Sequence, residues 1–197
     1  ITGSLVGENL CNTFAQPLDK SSAIKVKNPH SEDYSILRQA LMPNMLEVAK
    51  NNFDNGQKNF RLYEIGKIYL KKEEATEDNS GAIEIRKLTG CIFGSVHNDL
   101  YHKKEDDFFT LKGVLEGLFE KLGLSKRIVY SAFSENDRNN FEFLHPAQSA
   151  TISILGKNKE PIGYIGKLHP VLADKMKFNQ ALYVFELNLE EIISALN

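Results

Sequence analysis

Histidine is the side chain whose charge changes near neutral pH, and this chain holds two histidines in matched settings. The stretches "FLHPAQSA" at 143–150 and "GKLHP" at 166–170 each place a His-Pro pair, His145 with Pro146 and His169 with Pro170, at the edge of an apolar run. One reading makes them the acid and base of an active site, which needs an imidazole tuned near neutrality and a partner within reach. The other makes them scaffold: a residue before proline is biased to extended backbone, and its ring can bond nearby main-chain groups. Catalysis needs at least one further motif member, and none is visible.

Other chemistries leave fainter traces. There is no G-x-x-x-x-G-K-[ST] and no G-x-G-x-x-G after a strand, so a P-loop or Rossmann phosphate cradle is excluded. His30, His97, His102, His145 and His169 stand apart with no metal-ligand spacing, and no G-x-S-x-G occurs. Cys11 and Cys91 form no C-x-x-C and read as two reduced thiols, Cys91 inside a strand. The sequence therefore assigns no catalytic, cofactor-binding or metal-binding residue. A net charge of −2 with no run of five basic residues argues against a domain whose main task is holding a phosphate backbone. No signal peptide and no run of 18 apolar residues is found, so a cytoplasmic protein with no membrane partner is expected. The chain lacks an initiator Met, and a fragment of a longer protein is expected.

The elements that would position such residues are legible from pattern. At 197 residues, 42% hydrophobic and 25% charged, the chain suits one domain with a real core. "AIKVKNP" reads as a short strand stopped by Asn-Pro. "MPNMLEVAKNNF" reads as a helix with Pro43 in its first turn, where Met42, Met45, Leu46 and Ala49 form one stripe. "NFRLYEIGKIYL", apolar on both faces, reads as a central strand; "KKEEATEDNSGA" is an exposed hairpin loop, and "IEIRKLTGCIFGSV" the partner strand, with Gly90 and Gly94 marking a bulge or close packing. "DDFFTLKGVLEGLFEKLG" is an amphipathic helix, with Phe108, Leu111, Leu115, Leu118 and Leu122 on its stripe. Strands follow at "RIVYSAF", "SATISILG", "PIGYIGKL" and "ALYVFELN", with the polar turn "KNKE" joining the second and third. Short helices follow at "HPVLADKM", with Pro170 in its first turn, and "LEEIISAL", with Asn188 as cap. About seven strands, mostly in hairpins, and four helices predict an α+β fold with an antiparallel-rich sheet flanked by helices.

Five stretches in order, "VKNPHSEDYSILRQALMPNMLEVAKNN", "FRLYEIGKIY", "DDFFTLKGVLEGLFEKLG", "LHPAQSA" and "IGYIGKLHPVLA", resemble the C-terminal core region of the β subunits of bacterial phenylalanine–tRNA ligases. The resemblance runs over nearly the whole chain. It implies a class II aminoacyl-tRNA synthetase core-like fold spanning 1–197 as a single degenerate domain. It further implies a heterotetramer in which the catalytic α subunit, this domain's partner, holds the active site. The whole enzyme uses ATP, magnesium and tRNA, while this region binds no cofactor.

Departures from a working core support that degeneracy. A working class II core carries Arg-x-Glu in a strand, whereas Arg61 and Glu64 are three apart and so face opposite sides. A working core also ends in a glycine-rich strand and helix with a second arginine, and "GYIGKLHPVLADKMKF" has no arginine. Where the family commonly shows "LHPG" followed by Arg, this chain has Ala147 and Gln148. The resemblance makes Glu64, Gly66, His145, Pro146, His169 and Pro170 structural landmarks. It places the subunit interface at Arg38, Leu41, Met42, Pro43, Met45, Leu46 and Ala49, and two methionines on one stripe suit an irregular interface. The alternative is that this stripe faces the domain's own sheet; if it does not, a large exposed apolar patch is expected. The rival functions are a free-standing enzyme using His145 and His169, and a tRNA-binding accessory module.

Overall fold

A computed structural model describes residues 2–13, 19, 21–72, 81–95, 105–156 and 160–196. In chain order the elements are β1 (Leu5–Val6), α1 (Glu8–Thr13), β2 (Ile36–Leu37), α2 (Met42–Asp54), β3 (Phe60–Lys71), β4 (Ala82–Phe93), α3 (Phe108–Lys121), β5 (Ile128–Ala132), α4 (Glu135–Asn140), β6 (Leu144–Ile154), β7 (Gly163–Leu168), α5 (Pro170–Lys175), β8 (Leu182–Asn188) and α6 (Leu189–Leu196). Six strands form one antiparallel sheet in the order β3-β4-β8-β7-β6-β5, and β1 pairs with β2 beside it. The expected α+β architecture, an antiparallel sheet flanked by helices, is the one observed.

Helix boundaries follow their local chemistry. Asp107 and Thr110 close a capping box at the start of α3, and Gly123, at φ 73°, follows its end. The Asn188 side chain accepts from the Glu190 N–H at 3.1 Å to open α6. Leu111, Leu115 and Phe119 are the fully buried positions of α3, while Phe108, Leu118 and Leu122 pack at its margins.

The sheet is packed on both faces. On one, α3 and α6 cover Leu88, Ile92, Ile152, Ile165, Phe185 and Leu187. On the other, Met42, Met45, Leu46 and Ala49 of α2, with Leu172 of α5, cover Phe60, Cys91, Phe93 and Val184. Gly90 is small because a Cβ there would lie 2.6 Å from the Phe185 ring and 2.7 Å from the Leu62 carbonyl, which makes it a close-packing glycine in an unbroken register.

Three expectations are corrected. β3 is an edge strand: its outward Tyr63 and Ile65 are 76% and 57% exposed, so apolar residues on both faces did not mean burial on both. "AIKVKNP" makes a single bridge, Lys25 to Ile36, because it lies over the β2 segment and not in the main sheet. The strand and helix that close the fold are β8 and α6, whereas β7 and α5 precede them; neither pair carries an arginine. The turn at 157–160 lies mostly outside the described residues, as does the hairpin tip at 73–80.

Candidate functional site

In an antiparallel pair, directly opposed residues share a face, so the register can be followed across all six strands. Glu64 opposes Thr89, Thr89 opposes Glu186, Glu186 opposes Tyr164, Tyr164 opposes Thr151, and Thr151 opposes Ser131. One polar residue from each strand thus forms a row across the face under α2. Single-strand patterns missed this row. Its only trace is one polar residue standing in an otherwise apolar run, as in "KLTGC" and "VFELN".

The row is tied up by the chain itself. Arg38, 3% exposed, lies across the end of the row and donates from Nη1 to Glu64 Oε1 at 3.1 Å and to Thr2 Oγ1 at 2.7 Å. Its Nε donates to the Lys67 carbonyl at 2.9 Å, and Thr2 Oγ1 in turn donates to Glu64. Gly66 makes room for this guanidinium: a Cβ there would sit 2.3 Å from Arg38 Nη2. Arg38, Glu64 and Gly66 therefore form one unit, in which a buried arginine is compensated by charge and hydrogen bonds.

Glu186 accepts from the N–H groups of Leu41 and Met42, at 3.1 and 3.0 Å, and so anchors the start of α2. Burial pushes its carboxyl above the ordinary 4.5, while Lys87, the two N–H groups and Arg38 pull the other way. Lys87 Nζ lies 3.9 Å from Glu186 Oε1. Thr89 and Thr151 donate to the carbonyls of Phe185 and Ser131. The Tyr164 hydroxyl has no partner among the described residues, and burial holds its pKa well above normal. Aromatic side chains fill the space above the row: Phe141 and Phe143 pack on Tyr164, and Phe133 packs on Phe141.

Arg61 points away from this face, as its odd separation from Glu64 predicts, and it pairs with Asp106 at 2.9 Å. The residue two before Glu64, on the same face, is Leu62. Leu41, Met42, Pro43, Met45, Leu46 and Ala49 are all buried within this chain, and four of them belong to the core under α2. The methionine stripe is buried against the chain's own sheet, which favours the core alternative for these side chains.

The His-Pro pairs carry out one task twice. His145 Nδ1 accepts from the Ala147 N–H at 3.1 Å, and His169 Nδ1 accepts from the Val171 N–H at 3.3 Å, capping α5. Each proline directs the chain so that the next N–H turns back onto the ring. His97 and His102 lie outside the described residues. No group of three metal-ligating side chains occurs among the described residues. Burial pushes the Cys91 thiol up to about 12, so it is no nucleophile. None of the helices, as far as described, is long and apolar enough to cross a membrane.

Two solved structures of pyrrolysyl-tRNA synthetase from Desulfitobacterium hafniense share this architecture. Their TM-scores are 0.67 and 0.64 at 16% and 15% identity, and the match covers 98% of this chain and 58% and 61% of theirs. The fold is that of a class II aminoacyl-tRNA synthetase core.

Sequence narrows this further. A profile of the phenylalanyl tRNA synthetase beta chain CLM domain matches residues 1–189, and the chain belongs to that family. It is 37% identical over 197 residues to the phenylalanine–tRNA ligase beta subunit of Geobacillus kaustophilus and 35% identical over 197 residues to that of Bacillus subtilis. In each case the match covers 99% of this chain and 22% of the relative, so the chain spans about a fifth of their length.

Proposed function

We propose that this chain is a non-catalytic module of a phenylalanine–tRNA ligase β subunit, and that it supports a catalytic α subunit as it attaches phenylalanine to tRNA. The observation that carries this reading is the occupation of the polar row. A face that holds a nucleotide needs cations free to meet the triphosphate. Here Arg38 is neutralised by Glu64, Lys87 lies beside Glu186, and Leu62 stands where a same-face partner of Glu64 would bear charge. ATP and magnesium belong to the chemistry of the whole enzyme, and no residue of this row is offered to either.

Phenylalanine-dependent pyrophosphate exchange tests the reading. The 197-residue chain should show none, and exchange above background by pure chain would overturn it. Co-expression with an α subunit, followed by size exclusion, should give co-elution; separate elution would refute the supporting role. A free-standing enzyme built on His145 and His169 is disfavoured because both rings already serve their own backbone.

A further inference from the structure

β5 forms the edge of the sheet opposite β3, and its outer side is bare. The Arg127 carbonyl accepts from the Leu155 N–H at 2.7 Å, so the Ile128 N–H, on the other side of the same trans peptide, points away from β6. Main-chain groups alternate along a paired strand: Val129 and Ser131 turn to β6, while Ile128, Tyr130 and Ala132 turn outward. No main-chain bond reaches these outward groups among the described residues. The strand also carries no charge, proline or bulge of the kind that blunts an edge. Part of the β3 edge is treated differently: Tyr69 and Lys71 donate their N–H groups to the Arg38 and Ser22 carbonyls, at 2.9 and 2.8 Å. Against the bare edge lies a cavity of about 640 Å³, lined by Gly113, Gly117 and Glu120 of α3 and by Ile128 and Tyr130 among others. A Cβ at Gly113 or Gly117 would meet nothing within 4 Å, so the chain's own packing requires neither glycine, although both disfavour the helix.

We infer that an extended segment of a partner protein adds to β5 as one more antiparallel strand of the sheet. Its main chain bonds Ile128, Tyr130 and Ala132, and its residues directly opposite these three share their face. That is the face α3 covers, so the added side chains enter the cavity over Gly113 and Gly117, where the missing Cβ atoms leave them room. A row of outward N–H and C=O groups in alternation is matched by another extended backbone, which a metal ion or a small anion cannot supply. Lys112 pairs with Glu116 at 2.8 Å and lies 4.8 Å from the Tyr130 ring centroid, so both charges are met within the chain. Glu120 is exposed and has no ion pair among the described residues, and the segment therefore carries a lysine or arginine to meet it. Nucleic acid fits poorly, because its phosphates would face that carboxylate. The inference stands on the edge and the cavity and does not depend on the function proposed above.

The test is an NMR titration of the isotope-labelled 197-residue chain with a blocked seven-residue peptide of threonines that has valine, lysine and valine at its second, fourth and sixth positions. Saturable shifts are expected, with a Kd on the order of 1 mM, as befits one short strand. They should be large at the Ile128, Tyr130 and Ala132 N–H groups and small at Val129 and Ser131, which already bond β6. Methylating the peptide nitrogens at the second, fourth and sixth positions should abolish binding, and methylating the third and fifth should spare it. Ala132→Pro removes an outward N–H that β6 does not use, and G113L/G117L fills the groove. Each should melt within a few degrees of the parent and weaken binding about tenfold or more. Glu120→Gln should weaken it about threefold. The proposal is overturned by absent or non-saturable shifts, by shifts that do not alternate along β5, by equal binding of the two methylated peptides, or by undiminished binding in Ala132→Pro and G113L/G117L. Shifts of the same N–H groups on raising the protein concentration without peptide would assign the edge to a second copy and would also overturn it.

Discussion

Gly66 is the residue whose smallness has the clearest consequence. A methyl group at its Cβ would displace the Arg38 guanidinium from Glu64, and a buried pair that loses its partner is far costlier than no pair at all. Gly66→Ala is expected to lose about 3 kcal/mol, read as a lower urea midpoint with an unchanged slope. A loss under about 1 kcal/mol would mean that the guanidinium has room to move. Glu186 carries a pH signature with a definite sign. Burial raises its native pKa above 4.5, so the native state holds this proton more tightly than the unfolded one. Its contribution is fully present below about 4.5 and is lost as pH rises through the native value. In Glu186→Gln the amide oxygen still accepts from the Leu41 and Met42 N–H groups, and the charge is gone. The variant should gain stability relative to the parent as pH rises across that window. Urea midpoints of both proteins at a series of pH values check this, and a constant difference would refute it.

At the scale of elements, α2 joins the polar row to the core beneath it. Its apolar side packs on Phe60, Cys91 and Phe93, while its first turn is fixed by Glu186. Met45 is 3% exposed with Cys91 Sγ at 3.7 Å, so Met45→Asp would bury a charge with no compensating partner. It should abolish cooperative folding, whereas Met45→Leu should cost less than about 1.5 kcal/mol. A folded Met45→Asp chain by circular dichroism would return the stripe to the surface. For α5 the cap is a ring nitrogen. His169→Ala should cost about 1 kcal/mol, while His169→Asn, which offers an oxygen at the same reach, should recover most of it. Equal losses in a melting comparison would mean that the Nδ1 contact stabilises nothing. Several elements were plain in the sequence because their signals are local: the Asp107 cap and Gly123 for α3, Pro43 and Asn55-Gly56 for α2, Asn188 for α6. α4 was not foreseen, although its Ser134–Asp137 capping box is equally local; its six polar residues carry no apolar period to draw attention.

For the molecule as a whole, both cores share one sheet, so neither face can open without unpairing strands that the other also needs. Urea unfolding should show a single transition, with tyrosine fluorescence and far-UV circular dichroism coincident. The chain has seven tyrosines and no tryptophan, which makes tyrosine the reporter. Two separated transitions would show that the cores are independent. The family resemblance, the α+β class, the pairing of most consecutive strands as hairpins and the opposed directions of Arg61 and Glu64 were all within reach of the sequence, because each depends on residue identity, period or near-neighbour spacing. Strand order was not, and so β3 passed for a central strand: neighbours in a sheet are chosen by contacts between distant segments, which leave no period in either one. For the same reason only the tertiary structure could align Glu64, Thr89, Glu186, Tyr164, Thr151 and Ser131 in one row and turn the methionine stripe inward.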